Sequence, residues 1–327
     1  MRYMEKHWQS LTPVSFLLLP VSWVYCLLVF TRRQLYRLKL KHATRLPAPV
    51  IVVGNITVGG TGKTPLVIWL AKWLQHAGFR PGVVARGYGG NSRTWPVETF
   101  PDSDPEQTGD EPVLLARHCR CPVFAGPDRV RAAKALLEQY PCNVIVSDDG
   151  LQHYRLARDI EIAVIDGIRR FGNGRCLPAG PLREMPYRLD EVHARVVNGD
   201  PAPGEWSLNL AEKGFWNLRS PETRVAADYF PAGPVHAVAG IGHPQRFFNQ
   251  LRAQGLQIIE HAFPDHHRFQ PGDINFSPVA PVIMTEKDAI KCQRFAGPDH
   301  WYMAVEAQPD PQFAELILQL LREKSHG

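Results

Sequence analysis

The hexapeptide Gly59-Gly60-Thr61-Gly62-Lys63-Thr64 follows the apolar run Pro49-Val50-Ile51-Val52-Val53 and precedes Pro65-Leu66-Val67-Ile68-Trp69-Leu70. A buried strand that opens into a glycine-rich turn and then a helix leaves few folds to choose from. In this arrangement consecutive backbone N–H groups converge on an anion and the helix N-terminus adds its dipole. Gly59, Gly60, Thr61 and Gly62 would form the cradle, Lys63 would reach the outer phosphates, and Thr64 would place its hydroxyl on Mg²⁺. The strict pattern asks for glycine five residues before Gly62, and Thr57 stands there. The alternative is a glycine turn that happens to precede a lysine. The helix and the Gly-Lys-Thr ending favour a nucleoside triphosphate site.

The 327 residues are enough for two globular domains behind a short N-terminal appendage. The net charge of +5 is modest but unevenly spread. From Lys6 to Val97 there are twelve Lys or Arg residues and no acid, and acid returns at Glu98. Such a third attracts nucleotide, anionic lipid or nucleic acid, or is simply a solvated basic surface. The six cysteines form no CxxC pair and lack histidines at zinc-site spacing. They read as thiols in a reducing compartment.

Val14 to Phe30 is apolar nearly all round. Its seventeen positions would span about 25 Å as a helix, short of the ~30 Å hydrocarbon core. Pro20 should kink it. Arg32, Arg33, Arg37, Lys39, Lys41 and Arg45 follow, interleaved with Leu35, Tyr36, Leu38 and Leu40, which suits an anionic membrane surface. A cleaved signal peptide does not fit, since no small-x-small site follows. A short transmembrane anchor, one-sided embedding and a buried core helix stay open, with the length and the proline favouring embedding.

Strands alternate with helices, as in a mostly parallel sheet covered on both faces. Expected strands are 50–53, 82–85, 122–125, 144–147, 160–165 and 195–198; expected helices are 65–76, 111–117 and 129–139. Gly199 to Pro221 is weakly patterned and reads as a connection to a second α/β unit. That unit has strands at 235–239, 256–260, 282–285 and 301–305, a helix from Pro244 and a closing helix at 311–324. The chain then divides into a membrane-associated segment (1–45), a nucleotide-binding domain (46–205), a hinge (206–230) and a smaller α/β domain (231–327). In such sheets chemistry gathers beyond the carboxyl ends of the strands.

Asn143 to Ser147 delivers Asp148 and Asp149 to a strand tip, where paired carboxylates suit Mg²⁺ or, alternatively, a capping turn. Asp110, ahead of a helix, is either a functional carboxylate or a helix cap. Phe263-Pro264-Asp265-His266-His267 offers imidazoles for proton acceptance or for orienting a base. A metal site there would need a further spaced ligand. Arg86 to Gly90 pairs a cation with a flexible turn, and Pro178 to Glu184 is a stiff loop with a charged pair. Thr285-Glu286-Lys287-Asp288 has the wrong spacing for guanine recognition.

Taken in order, Val53-Gly54-Asn55, Val58 to Pro65, Arg86-Gly87-Tyr88-Gly89, Gly109-Asp110-Glu111-Pro112, Asp148 to His153, Leu177 to Glu184, Phe263 to His266 and Thr285 to Lys291 resemble the tetraacyldisaccharide 4'-kinase family. Thr57 agrees with that family's form of the loop. The resemblance implies two α/β/α domains with ATP between them. It also implies transfer of the γ-phosphate to the 4'-hydroxyl of a tetraacylated glucosamine disaccharide 1-phosphate in lipid A biosynthesis. By the same resemblance Asp110 is the base, His266 (His267 less so) its partner, and Lys63 the group that neutralises the transferring phosphoryl. Thr64, Asp148, Asp149 and Glu184 would organise Mg²⁺. Arg86, Tyr88, Arg129, Gln152, His153, Asn173 and Arg183 would contact or position substrate. The expected location is the cytoplasmic face of the bacterial inner membrane, with no nucleic acid and no obligate protein partner. The rival reading is a membrane-associated partitioning or targeting ATPase, although Val58 stands where those proteins usually carry lysine.

Overall fold

The structure is a computed structural model that describes residues 7–325, so the first six residues of the expected 1–45 segment lie outside the described residues. Its strands are β1 (Val50–Gly54), β2 (Pro81–Ala85), β3 (Val97–Glu98), β4 (Val123–Ala125), β5 (Val144–Asp148), β6 (Ile160–Asp166) and β7 (Ala194–Asn198). They continue as β8 (Trp206–Asn217), β9 (Arg224–Val225), β10 (Val235–Ala239), β11 (Ile258–Ala262), β12 (Val282–Thr285) and β13 (His300–Pro309). The α-helices are α1 (Pro13–Arg37), α2 (Lys63–His76), α3 (Pro105–Thr108), α4 (Asp110–Cys119), α5 (Arg129–Gln139), α6 (Pro244–Ala253), α7 (Glu286–Cys292) and α8 (Pro311–Ser325). The helix starts carry ordinary signals. Asp128 accepts from the Val130 and Arg131 amides ahead of α5, Thr285 accepts from Asp288 ahead of α7, and Pro244 opens α6.

The strands form one continuous sheet in the order β11-β10-β12-β13-β8-β7-β6-β1-β5-β2-β4-β3, with β9 on β8. Pairing is parallel except at β13–β8, β3–β4 and β8–β9. This departs from the expected hinge. The stretch read as a connection contains β8, a twelve-residue strand parallel to β7 and antiparallel to β13. Gly214 hid it from pattern reading. It sits at φ +93° opposite a register shift between Met303 and Val305, so the alternation breaks mid-strand.

The core has the same continuity. Val53, Leu66, Leu70, Val146 and Val196 share one apolar cluster with Phe313, Ile317 and Leu321 of α8. The last helix therefore packs under the first half rather than staying with the second. On the other sheet face Val52, Ile145, Ala163 and Val197 meet Val130 and Leu136 of α5. Because β1, β2, β5 and β6 run parallel, the loops that leave their carboxyl ends open on one side.

Helix α1 is turned inside out. Its buried residues are Ser15, Ser22 and Arg33, while Leu17 is 80% exposed, Leu27 63% and Leu28 65%. Ser22 Oγ donates to the Cys176 carbonyl at 2.7 Å, and Arg33 pairs with Glu191. A core helix would bury its leucines and expose its serines, so the core-helix alternative is excluded. The helical span runs on through Pro20 as one element. All six cysteines are free thiols.

Candidate functional site

The glycine-rich loop has the cradle conformation. Gly59 and Gly62 lie at φ +93° and +96°, and α2 starts at Lys63 with Gly62 as its N-cap. A Cβ on Gly62 would meet the Asn198 amide nitrogen at 2.8 Å, so glycine is required twice over. Side chains from elsewhere brace the loop. Asn198 donates to the Thr61 carbonyl at 3.2 Å, Arg169 to the Gly60 carbonyl at 2.7 Å, and Asn55 to Thr61 Oγ1 at 3.4 Å. Thr64 follows in the first turn of α2.

Beside the loop, β5 ends at Asp148 and the chain turns through Asp149 at φ +48°. Lys63 Nζ lies 3.4 Å from Asp149 Oδ1, and Arg183 Nη1 donates to both Asp149 oxygens at 2.9 and 3.0 Å. Burial works against the Asp149 charge, but Lys63 and Arg183 hold its carboxyl well below the usual range. Asp148 goes the other way, pushed up to about 7 by burial and by nearby Glu111. Its Oδ1 is buried with no hydrogen-bond partner, and so is the Ser147 hydroxyl. An orphaned carboxylate oxygen next to a phosphate cradle fits a divalent cation. Arg129 is buried and donates to the backbone carbonyls of Gly126, Pro127, Asp148 and Asp149 at 3.2 to 3.5 Å. These bonds brace the turn, while its Nε is buried with no hydrogen-bond partner. His153 is held down at about 4, first by burial and then by Arg129, and stays neutral.

Glu184 lies close to this turn, linked to it through Gln152 and Arg183. Its oxygens accept from Gln152 Nε2 at 2.9 Å and from the Tyr154 hydroxyl, and Arg188 approaches at 4.0 Å. Among the described residues no three His, Cys, Asp or Glu side chains gather as a ligand set. Gln152 also donates to the Asn55 carbonyl at 3.0 Å. Asn173 donates to the carbonyls of His7 and Ala179 and accepts from the Arg175 amide, so it braces the 173–184 loop.

Asp110 opens α4 but is not its cap; Gly109 holds that position without a side-chain bond. Gly109 lies at φ +93°, and a Cβ there would strike the Tyr88 carbonyl at 2.6 Å. Asp110 is 5% exposed, and its Oδ2 meets His266 Nδ1 at 3.1 Å across the two halves of the chain. Lys291 and Lys287 stand 3.8 and 4.0 Å from the same oxygen. Burial favours the neutral acid, yet Lys287, the His266 hydrogen bond and Lys291 together hold Asp110 well below the usual carboxylate range. His266 itself sits at φ +57° with Tyr88 against its ring, centroids 4.6 Å apart. His267 pairs with Asp273 at 2.9 Å instead.

Sequence reasoning passed over Lys287. Burial opposes its charge, but Glu111, Asp110 and Asp265 raise it above the ordinary lysine value. The signal was present in Thr285-Glu286-Lys287-Asp288 at a strand end, set aside as a failed guanine motif. Thr285 and Asp288 close that turn on each other at 2.6 Å, and Asp288 also accepts from the Gly240 amide. Tyr154, Asn198 and Arg169 were missed as well, because only the fold brings them to the site.

A cavity of about 280 Å³ lies between α1 and this site, bordered by Tyr25, Arg32, Arg86, Gln152, Arg183 and Glu184 among others. Arg86 lies over the Tyr88 ring at 5.7 Å.

A family model described as tetraacyldisaccharide-1-P 4'-kinase matches residues 14–322. A tetraacyldisaccharide 4'-kinase of Nitrosococcus oceani is 50% identical over 97% of this chain and 94% of its own length. One of Alkalilimnicola ehrlichii is 52% identical over 91% and 90%. Among solved structures, the LpxK of Aquifex aeolicus in complex with ATP superposes with a TM-score of 0.79 at 28% identity, covering 94% of this chain and 99% of that one. A match of this extent takes in the cradle, the Asp148–Asp149 turn and the Asp110–His266 pair together, and the chain belongs to the tetraacyldisaccharide 4'-kinase family.

Proposed function

We propose that this protein is a lipid kinase that transfers the γ-phosphate of ATP to the 4'-hydroxyl of a tetraacylated glucosamine disaccharide 1-phosphate. The observation that carries the reading is a buried, ionised Asp110 hydrogen-bonded to His266 beside a phosphate cradle, with an outward-facing apolar helix alongside. Phosphoryl transfer passes through a loose transition state, so catalysis is mostly alignment and charge neutralisation.

Each residue then has a role. The amides of Gly59 to Gly62 and the ammonium of Lys63 bind and neutralise the phosphates. Arg183 fixes Asp149, whose carboxylate in turn steers Lys63. Thr64, Asp148 and Asp149 would hold Mg²⁺, which supplies charge neutralisation at the transferring group; Glu184 supports the neighbouring wall through Gln152. Asp110 orients the sugar hydroxyl and takes its proton as the new O–P bond forms and the bond to ADP breaks. His266 and Lys287 keep that carboxylate aimed and charged. The exposed leucines of α1 seat the enzyme at the cytoplasmic face of the inner membrane, where a lipid acceptor and cytosolic ATP meet.

The test is incubation of purified protein with γ-labelled ATP and the disaccharide lipid in mixed micelles. Label should appear at the 4'-position of the sugar. ATP turnover with no labelled lipid would overturn the reading and favour a P-loop ATPase.

A further inference from the structure

Two consecutive carbonyls of the phosphate loop are held by side chains that follow β6 or end β7. Arg169 donates to the Gly60 carbonyl at 2.7 Å, and Asn198 donates to the Thr61 carbonyl at 3.2 Å. The peptide bonds here are trans, so each N–H points opposite to the C=O of its own peptide unit. The two hydrogen bonds therefore aim the Thr61 and Gly62 amides away from Arg169 and Asn198. An anion-binding loop depends on that direction. Asn198 is 2% exposed, and its amide group can fill its place in either of two orientations. Turned over, it would set Oδ1 against the Thr61 carbonyl. Arg246 decides the orientation, because its Nη2 donates to Asn198 Oδ1 and a guanidinium has no acceptor. Oδ1 must then face Arg246, and Nδ2 must face Thr61.

Arg246 comes from the other half of the chain, in the first turn of α6. The turn before that helix backs onto the loop. A Cβ on Gly242 would lie 3.3 Å from the Gly60 nitrogen and 3.4 Å from Gly59 Cα. The same Cβ would lie 3.4 Å from Asp265 Oδ2, beside His266. We propose that Asn198 and Arg246 are positioning residues for the nucleotide. Arg246 fixes the Asn198 amide, and Asn198 fixes the Thr61–Gly62 peptide so that its N–H meets the phosphates. The second half of the chain thus completes the cradle through a side chain that touches no phosphate itself. This proposal rests on the reading of the loop as an ATP cradle and adds the residues that set its geometry.

The test is a double-mutant cycle on the full chain, read as Kd for Mg-ATP by calorimetric titration. Asn198→Ala and Arg246→Ala should each weaken ATP binding about three- to tenfold, the range expected for one hydrogen bond. The double variant should lose no more than Asn198→Ala alone, because Arg246 acts only through Asn198. Arg246→Lys keeps a donor and should recover part of the loss. Inorganic tripolyphosphate, competing with ATP, should weaken by the same factor, since the amides hold phosphate and not the base. KM for the lipid acceptor should stay within about twofold, because Asp110 and His266 are unchanged. Losses that multiply in the double variant would mean that Arg246 touches the nucleotide itself, and would overturn the proposal. A loss for ATP without one for tripolyphosphate would overturn it too, as would unchanged ATP affinity in Arg246→Ala. Arg246 is only half-buried, so its two variants on both ligands still decide the matter if Asn198→Ala does not fold. If the parental chain binds no ATP, the cradle reading itself falls, a result distinct from equal affinity in parent and variant.

Discussion

Replacing Asp110 by Asn removes one charge and almost no volume. The side chain can still accept from the Glu111 amide, which the carboxylate does at 2.9 Å. What disappears is the negative field felt by Lys291 at 3.8 Å and Lys287 at 4.0 Å. At an effective dielectric of 20, each such pair is worth about 4 kcal/mol before the cost of burial. That is why attraction outweighs burial and the acid stays ionised. A carboxyl held so low is a weak base, but in a loose transition state the hydroxyl keeps its proton until late, so a weak base suffices. Loss of a general base typically costs roughly 10²–10⁴-fold, or about 3–5 kcal/mol at the barrier. The fold should survive, because Lys287 keeps Glu111 at 3.2 Å and Lys291 keeps Asp288 at 2.7 Å. Steady-state transfer from labelled ATP to the disaccharide lipid should show kcat down by at least a hundredfold and KM for ATP within twofold. A variant with kcat within threefold of the parent would refute the assignment of Asp110 as base. Equal loss of nucleotide affinity would make it a structural or metal-binding group.

Lys63→Ala should remove the cation at the outer phosphates and weaken ATP binding and transfer together; calorimetric titration with ATP that matches the parent would refute the cradle assignment. Exchanging exposed Leu27 and Leu28 for Glu should abolish sedimentation with anionic vesicles while leaving Tm unchanged, and intact vesicle binding would refute the outward role of α1. His153 is neutral in the fold because burial holds it down at about 4. Its unfolded value is near 6.5, so the unfolded chain takes up a proton first as pH falls from 6.5 towards 4, and stability drops over that window by up to about 3 kcal/mol. His153→Gln should flatten the dependence of Tm on pH between 7 and 5, and an unchanged slope would show that His153 does not titrate as described.

Much of the architecture could be read from local pattern. Helix α5 at 129–139 and strands β10 and β12 have the expected bounds, since uninterrupted apolar runs bounded by caps and prolines are local signals. The phosphate loop was equally legible because its chemistry is contained in a few consecutive residues. Strand β8 was not, since Gly214 and a bulge break its alternation and only pairing with β7 and β13 makes it a strand. Nor could the sequence place α8 beneath the first half of the sheet, a matter of which apolar faces remain uncovered after folding.

The site divides along the same line. Residue type and order marked Lys63 and the Asp148–Asp149 pair as groups able to handle phosphate and cation, while the proton-accepting role of Asp110 came from the family resemblance. The resemblance favoured His266 over His267, and the tertiary structure supplies the physical reason, since His266 reaches Asp110 across 156 positions of chain while His267 turns to Asp273. The tertiary structure alone brought Lys287 to the base, gave Glu184 its Gln152 and Tyr154 partners and turned the serines of α1 inward. Charge state and burial are properties of neighbours, and neighbours distant in sequence become known only when the chain has closed on itself.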